Sequence, residues 1–426
     1  MIKATWNRMK YAAAGAGLAA AAVLTATATA QSGAAGAFTE LMQRDYLSRD
    51  IVYFSQGLEL DEGQRMIIES LYEDYRDEFE QGWQDVQDRL NNLNEELQNA
   101  GEDQIMDIVL RPLEEWRSEK DRLKEQFEQN VQVILNSEQL DRWPAFQRMI
   151  FREKNLHDGR LAGENVNLFH VLNELRLSDR VRSEIDPVVE EYDKALDRAL
   201  RRRIAVTHDL HNHAFSSLRQ RDRSPETDLL RREVDRRVEV RDVNDQYRDK
   251  IAEALPSDSA EEFRSRALEI GYPRVHRPLP VTRLFRQALE LDDLEDEARA
   301  ALTEAQASWT EELRSLNTNL IETTRSHEPR SIRNQIDMVA ARQRGESVDR
   351  ITDPTRDLIQ QRNERAEHYL SLVRDQLTEE QFNQLPASRS VMRQTAAGSR
   401  DRGAGRGEVR DGGRGEGRGR GEGRGR

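Results

Sequence analysis

The residue types best suited to chemistry in this sequence are three closely spaced histidines. His208, His211 and His213 lie within six residues and make up three of the eight histidines in the chain. Imidazole nitrogen is a common ligand of divalent metals. On a helix, His208 and His211 share a face, as do Asp209 and His213, so three or four ligands could meet one ion. The spacing predicts a candidate divalent metal site; the alternative is a solvated polar helix end near a hairpin turn.

Apart from these histidines, the sequence carries no recognisable catalytic pattern. It contains no Gly-rich phosphate loop and no G-x-S-x-G, H-E-x-x-H or EF-hand pattern. Carboxylate pairs occur throughout the chain and therefore single out no acid–base site. The 426 residues include no cysteine, which excludes disulfide frameworks and cysteine-based zinc or redox sites. We therefore expect a protein that is not an enzyme, with no cofactor other than the candidate metal.

The helices that would position such residues are visible as stripes of apolar side chains. After Asp61, apolar residues recur every three or four positions, separated by charged and amide side chains, as in an amphipathic helix. The first stripe consists of Ile67, Leu71, Tyr75, Phe79, Trp83, Val86, Leu90, Leu93 and Leu97. A second stripe follows the break at Asn99-Ala100-Gly101, which predicts an antiparallel hairpin of two long helices with coiled-coil-like packing. No segment alternates convincingly as a strand would.

This pattern of long helices restarts twice along the chain. Leu58-Glu59-Leu60-Asp61, Leu175-Arg176-Leu177-Ser178 and Leu289-Glu290-Leu291-Asp292 each precede a striped segment. Asp61 with Gln64, and Asp292 with Glu295, fit the capping box that begins a helix. We therefore predict an all-α fold of three tandem hairpin units, at residues 37–157, 164–272 and 280–390. In the third unit, Glu328-Pro329, Gly345 and Asp353-Pro354 are expected to interrupt the returning arm.

The two ends of the chain differ from this helical body. Met1–Lys10 is basic, residues 11–25 are uncharged, and Ala28-Thr29-Ala30 offers the small residues of a cleavage site. This order predicts a signal peptide at 1–30 and a periplasmic or secreted protein; the alternative is an uncleaved anchor. Residues 397–426 contain nine Arg, five acidic residues and twelve Gly. We expect this tail to be disordered and to contact an anionic surface, such as lipid, polysaccharide or the acidic body, rather than nucleic acid.

The segments that close the first and third units carry a short motif. Leu377, Thr378 and Gln381 form a full L-T-x-x-Q, and Leu135, Asn136 and Gln139 form a near copy with Asn in place of Thr. Together with the Leu-x-Leu openings, they resemble the periplasmic LTxxQ-motif family of Spy/CpxP-type envelope stress proteins. The Thr and Gln also fit a capping box, so a structural role accounts for them.

The resemblance implies an exported, all-helical protein that binds unfolded envelope clients without ATP or takes part in the envelope stress response. Hairpins in that family are often paired into a cradle, so a homodimer is a further expectation. Two alternatives stay open from the sequence. One is a structural coiled-coil scaffold or spacer in the cell envelope, and the other is a stress sensor that binds metal through His208, His211 and His213.

Overall fold

The protein is described by a computed structural model in which residues 31–220 and 224–387 are placed. Within these ranges it contains 14 α-helices, one 3₁₀ turn and no strand, which confirms the all-α prediction. None of the helices in this part of the chain is long and apolar enough to cross a membrane. The predicted signal peptide and the Gly/Arg-rich tail lie outside the described residues.

The chain divides into two compact units. The first contains the described residues up to His276 together with Ile321–Thr355, and the second contains Arg277–Leu320 and the described residues from Arg356 onward. Buried hydrophobic side chains fall into three clusters, which span residues 41–150, 156–267 and 281–387. That these clusters represent three copies of one ancestral hairpin stays a prediction.

The first cluster is rich in aromatic rings and lies in a segment that contains six helices. These are α1 (Gln31–Met42), α2 (Asp50–Gly57), α3 (Glu62–Asn92), α4 (Asn94–Asn99), α5 (Glu102–Val133) and α6 (Ser137–Asn155). The predicted hairpin is present, because α3 packs along α5. Tyr46, Phe54, Tyr75 and Phe127 meet at its centre, with ring centroids 5.0–6.3 Å apart. We call residues 41–150 the aromatic region.

The predicted stripe is wrong at its first position. Ile67 is 46% exposed, whereas the neighbouring Ile68 is fully buried. The reason is geometric, since a helix turns about 100° per residue. Four successive steps of four residues lead back from Trp83 to Ile67 and accumulate a rotation of about 160°. Ile67 therefore faces away from the core that Trp83 joins.

The second cluster contains the 3₁₀ turn Leu156–Asp158 and four helices. These are α7 (Leu168–Glu174), α8 (Asp179–Gln220), α9 (Ser224–Ala254) and α10 (Ser257–Gly271). Long helices α8 and α9 pack against each other. Ser178 accepts a hydrogen bond from the Val181 N–H at the start of α8, as expected of an N-cap. We call residues 156–267 the ionic region, because its centre holds buried charges.

Those charges surround Glu164, which is 0% exposed. Its Oε1 accepts hydrogen bonds from Arg203 (2.7 Å) and Arg237 (3.0 Å). Its Oε2 accepts from the backbone N–H groups of Arg160 (2.7 Å) and Leu161 (3.0 Å). One carboxylate thus fixes a loop and two long helices, and every partner is a charged or backbone donor.

The loop that carries Glu164 depends on a glycine beside it. Gly163 has φ of +83°, a left-handed conformation that side chains disfavour, and a Cβ there would meet Tyr272 Oη at 2.9 Å. Its N–H donates to the Gly271 carbonyl at 2.8 Å. Asn244 donates to the carbonyl oxygens of Gly163 (3.1 Å) and Glu164 (2.9 Å). The loop is therefore fixed by backbone and side-chain hydrogen bonds.

The remaining helices are α11 (Pro280–Leu289), α12 (Asp296–Gln343), α13 (Thr355–Asp375) and α14 (Glu379–Gln384). The capping box predicted at Asp292 and Glu295 is wrong, since α12 begins only at Asp296. Arg299, in the first turn of α12, donates to the carbonyl oxygens of Leu289 (2.6 Å) and Leu291 (2.9 Å). These bonds hold the preceding residues in a turn, which delays the helix.

The interruption predicted at Glu328-Pro329 is also wrong, because Pro329 lies inside the 48-residue helix α12. A proline in a helix leaves the carbonyl four residues earlier without its usual N–H partner. Here that carbonyl belongs to Arg325, and Arg241 Nη1 donates to it at 2.8 Å. A side chain from α9 therefore satisfies the group that would otherwise favour a break. The other two predicted breaks fall between α12 and α13, as expected.

Candidate functional site

Two of the three candidate metal ligands share one carboxylate. His208 and His211 lie on α8, and Glu40 lies on α1. Glu40 Oε1 is 3.0 Å from His208 Nε2, and Glu40 Oε2 is 2.7 Å from His211 Nδ1. His213 is half-buried on the same helix. In the part of the chain that the structure describes, no three His, Asp or Glu side chains form a set that could hold a metal ion. Metal binding by these histidines stays a prediction.

The Glu40 carboxylate is held in its charged form. Burial opposes ionisation, but hydrogen bonds from His208 and His211 hold the pKa of Glu40 well below its usual range. The hydrogen bond to Glu40 in turn raises the pKa of His208, against the effects of burial and of the nearby Arg117. The two histidines therefore hold α1 through its Glu40 carboxylate.

The family-like motif at residues 135–139 begins helix α6. Asn136 is the N-cap, and its side chain accepts a hydrogen bond from the Gln139 N–H at 2.9 Å. Gln139 Oε1 accepts the Asn136 N–H in return at 3.0 Å, which completes a capping box. Leu135 is buried in the aromatic region. Each motif residue therefore has a role in building the helix end.

The same glutamine also joins the start of α6 to the start of α3. Asp61 and Gln64 form their own capping box at the start of α3. Gln64 Nε2 donates to Gln139 Oε1 (2.8 Å) and to the Ile134 carbonyl (2.9 Å), while Gln139 Nε2 donates to Gln64 Oε1 (2.9 Å). We call Gln64, Ile134, Asn136 and Gln139 the N-terminal junction. It ties together the ends of three helices.

An equivalent but simpler arrangement occurs at residues 377–381. Thr378 is the N-cap of α14 and forms a capping box with Gln381. Gln381 Nε2 donates to the Asp293 carbonyl at 3.1 Å, within the turn that precedes α12. Leu377 is buried in the third hydrophobic cluster. In both copies, the side chain of the motif glutamine forms a hydrogen bond outside its own helix, with the segment where the hairpin begins.

The corresponding segment of the ionic region lacks this contact. Pro256 occupies the N-cap position of α10 and makes no side-chain capping hydrogen bond. Leu255 is still buried, as Leu135 is. The leucine of the motif is therefore shared by all three segments, whereas the glutamine contact is found in the two that carry the fuller motif.

Four exposed apolar side chains lie close along the chain to residues of the N-terminal junction. Met66 is 61% exposed, Ile67 46%, Val133 83% and Leu140 40%. Each lies within three residues of a junction residue whose hydrogen bonds are given above. They come from α3, α5 and α6, so the junction fixes the backbone that carries them. We call these four side chains the junction surface.

Helix α6 also lines a shallow open hollow of about 320 Å³. Gly57 of α2 and Arg142, Ala145, Phe146 and Met149 of α6 form its walls. A Cβ at Gly57 would lie 2.8 Å from the Phe146 ring, so glycine is needed for this close approach. The hollow is apolar apart from the Arg142 head group, which pairs with Glu59 at 2.7 Å.

Sequence reasoning located the motif residues but missed Glu40 and the junction surface. Glu40 is 171 positions from His211, and no spacing rule connects residues so far apart. Apolar periodicity alone does not distinguish the exposed junction surface from the stripes that face the core, because the distinction depends on the rotation of α3. Comparisons with protein family models, with curated proteins and with solved structures find no match to this chain.

Proposed function

We propose that this protein is an exported, all-helical binding protein of the LTxxQ type that holds apolar segments of unfolded envelope proteins without ATP. The junction surface carries this proposal. Large apolar side chains that stay exposed together on a folded protein are typical of interaction sites. Here four of them lie within three residues, along the chain, of the N-terminal junction that contains the motif glutamine Gln139.

The support for a binding surface is its rigidity as well as its exposure. Gln64 and Gln139 exchange hydrogen bonds with each other, and both also close capping boxes. The apolar side chains therefore project from backbone that is held at three helix ends. A preorganised surface loses little conformational entropy when a client binds, so weak apolar contacts are used efficiently.

The surroundings of the junction surface favour a soluble, reversible interaction. Exposed charged residues alternate with the apolar ones along α3 and α6, namely Glu62, Arg65, Glu138, Asp141 and Arg142. An apolar centre with a charged rim is the usual composition of a non-obligate interface. The adjoining hollow beside Phe146 would accept one large apolar side chain of a client.

The sequence features at the N-terminus support the proposed location of this activity. Residues 1–30 have the order of a secretory signal, and the chain contains no cysteine that could be oxidised outside the cytoplasm. A compartment without ATP requires a holding mechanism that uses only surface complementarity. The junction surface has this character.

The test is suppression of aggregation by the purified mature chain. A chemically denatured protein is diluted into buffer with and without equimolar mature chain, and light scattering is recorded. The junction variant carries Met66→Ser, Ile67→Ser, Val133→Ser and Leu140→Ser. The matched control carries Val339→Ser, Val348→Ser, Ile351→Ser and Ile359→Ser, four other exposed apolar side chains.

We expect the wild type and the control to suppress scattering and the junction variant to lose most of this activity. Circular dichroism and thermal unfolding establish that both variants are folded. A wild type that does not suppress scattering would refute the chaperone function. A junction variant as active as the wild type would place client binding elsewhere.

A further inference from the structure

Helix α1 is a poor helix by composition. Its twelve residues, Gln31–Met42, include Gly33 and Gly36, and glycine is the least favourable helix residue after proline. A short helix of this kind is not stable alone in water. Tertiary contacts must therefore hold α1 in its helical form.

Two residues near the end of α1 make apolar contacts. Leu41 is buried, and its carbonyl accepts a hydrogen bond from Trp116 Nε1 at 2.9 Å. Phe38 packs edge-on against Trp83, with ring centroids 5.9 Å apart. The two residues are three positions apart and lie on one face. Trp83 and Trp116 thus form the apolar surface against which α1 packs.

Glu40, which lies between these two residues, makes polar contacts with both α5 and α8. The Glu40 carboxylate meets His208 and His211, and the Glu40 carbonyl accepts from Lys120 Nζ at 2.8 Å. Arg117, on the same helix as Lys120, donates a hydrogen bond to Asn212 of α8, next to His211. The edge of the site is therefore cationic, and it complements the single acidic residue of α1.

The chain is anchored again soon after α1 ends. Residues 43–49 are not helical, and within them Tyr46 is buried among the rings of the aromatic region. The Asp45 N–H donates to Tyr75 Oη at 3.0 Å. Because this anchor does not involve α1, the helix could leave its site without unfolding the hairpin below it.

We propose that the groove formed by α3, α5 and α8 is a binding site for a short helical peptide with an acidic residue between two apolar ones. Helix α1 is its resident occupant, and an incoming peptide of the same chemistry takes its place. The site would add a defined, charge-selective groove to the protein. It does not depend on the junction surface and stands or falls separately from the aggregation assay.

The test uses a fluorescent peptide with the sequence of residues 31–42, added to the full mature chain. Anisotropy measures its binding to the wild type and to two variants that loosen the resident helix, Glu40→Ala and Phe38→Ala. The peptide keeps Glu40 and Phe38, so it should compete well against a weakened α1. We expect at least tenfold tighter binding to both variants than to the wild type.

The controls distinguish specific binding in this groove from nonspecific binding of the peptide. A peptide with Glu40→Ala should lose the gain in affinity, because it cannot engage His208 and His211. His170→Ala removes another histidine–carboxylate pair, to Glu153 at 3.4 Å, and should leave the wild-type affinity unchanged. Equal affinity for wild type and both loosened variants, or no binding to any of them, would overturn the proposal.

Discussion

The aromatic and ionic regions are each built on a pair of long helices, but different kinds of side chain lie at their centres. Both pair two long helices, α3 with α5 and α8 with α9. The aromatic region fills its centre with rings such as Phe54 and Phe127, whose centroids are 5.7 Å apart. The ionic region also has a hydrophobic cluster, but it buries Glu164 between Arg203 and Arg237.

Because of this difference, the two regions should differ in how much stability they lose when one side chain is substituted. Ring packing is spread over many contacts, so the loss of part of one side chain removes a share of the burial energy. A buried ion network behaves otherwise, because the removal of one partner leaves the remaining charges desolvated and unpaired. A single substitution should therefore lower the free energy of unfolding less in the aromatic region than in the ionic region.

The largest expected effect is that of Glu164→Ala. This change leaves Arg203 and Arg237 without their shared carboxylate and two loop N–H groups without an acceptor. We expect it to lower the free energy of unfolding by about 3–5 kcal/mol. Urea denaturation followed by circular dichroism measures the loss. A decrease below about 1 kcal/mol, the range of a surface ion pair, would contradict the account.

A conservative change in the aromatic region should have a smaller effect. Phe54→Leu keeps most of the buried volume at a fully buried position but removes the ring contacts with Tyr46, Phe127 and Phe146. We expect a loss of about 1–2 kcal/mol in the same urea experiment. If this substitution cost more than Glu164→Ala, the contrast between the regions would be reversed.

The N-terminal junction offers a third, weaker test, on the polar part of the aromatic region. Gln139→Ala removes half of a capping box and the bonds to Gln64. We expect a loss of about 1 kcal/mol. Gln381→Ala is the matched change in the other motif copy. There the glutamine side chain donates one hydrogen bond outside its own helix, to the Asp293 carbonyl. Thermal unfolding should show a larger shift for Gln139→Ala, and equal shifts would argue against the special role of the Gln64–Gln139 pair.

The smallest expected effect is a pH dependence in the contacts of the ionic region. Glu328 Oε2 accepts the Ala162 N–H at 2.8 Å, and burial raises the pKa of Glu328 above its usual value despite that bond and the nearby Arg241. A raised carboxyl pKa means that the folded state holds the proton more tightly than the unfolded state. Stability therefore falls as pH rises through that pKa.

Glu328→Gln keeps a side-chain acceptor for Ala162 but removes the charge. We expect the variant to gain stability relative to the wild type near neutral pH, with the difference vanishing in acid, below the ordinary glutamate pKa. Denaturation at a series of pH values measures this difference. A constant difference across the series would show that the ionisation of Glu328 does not matter.

Local features of this fold could be predicted from the sequence. The all-α class and the capping residues Asp61, Asn136 and Thr378 follow from periodicity and from short-range hydrogen bonding, which depend on neighbours in the chain. The prediction and the structure agree on these features.

Features that depend on distant partners could not be predicted. The helix continues through Pro329 because Arg241 supplies a donor from another helix. In the same way, His208 and His211 find a carboxylate from α1. The sequence gives the residue types in each case but no spacing that pairs them.

The most direct test of the proposed function is photo-crosslinking from the junction surface. A photoreactive amino acid is placed at Val133 and, as the control, at Val339, and each full chain is illuminated with a denatured client in the absence of ATP. We predict that the client is crosslinked efficiently from position 133 and only at background level from position 339. Equal crosslinking from both positions, or none from position 133, would contradict the claim that the N-terminal junction presents the client-binding surface.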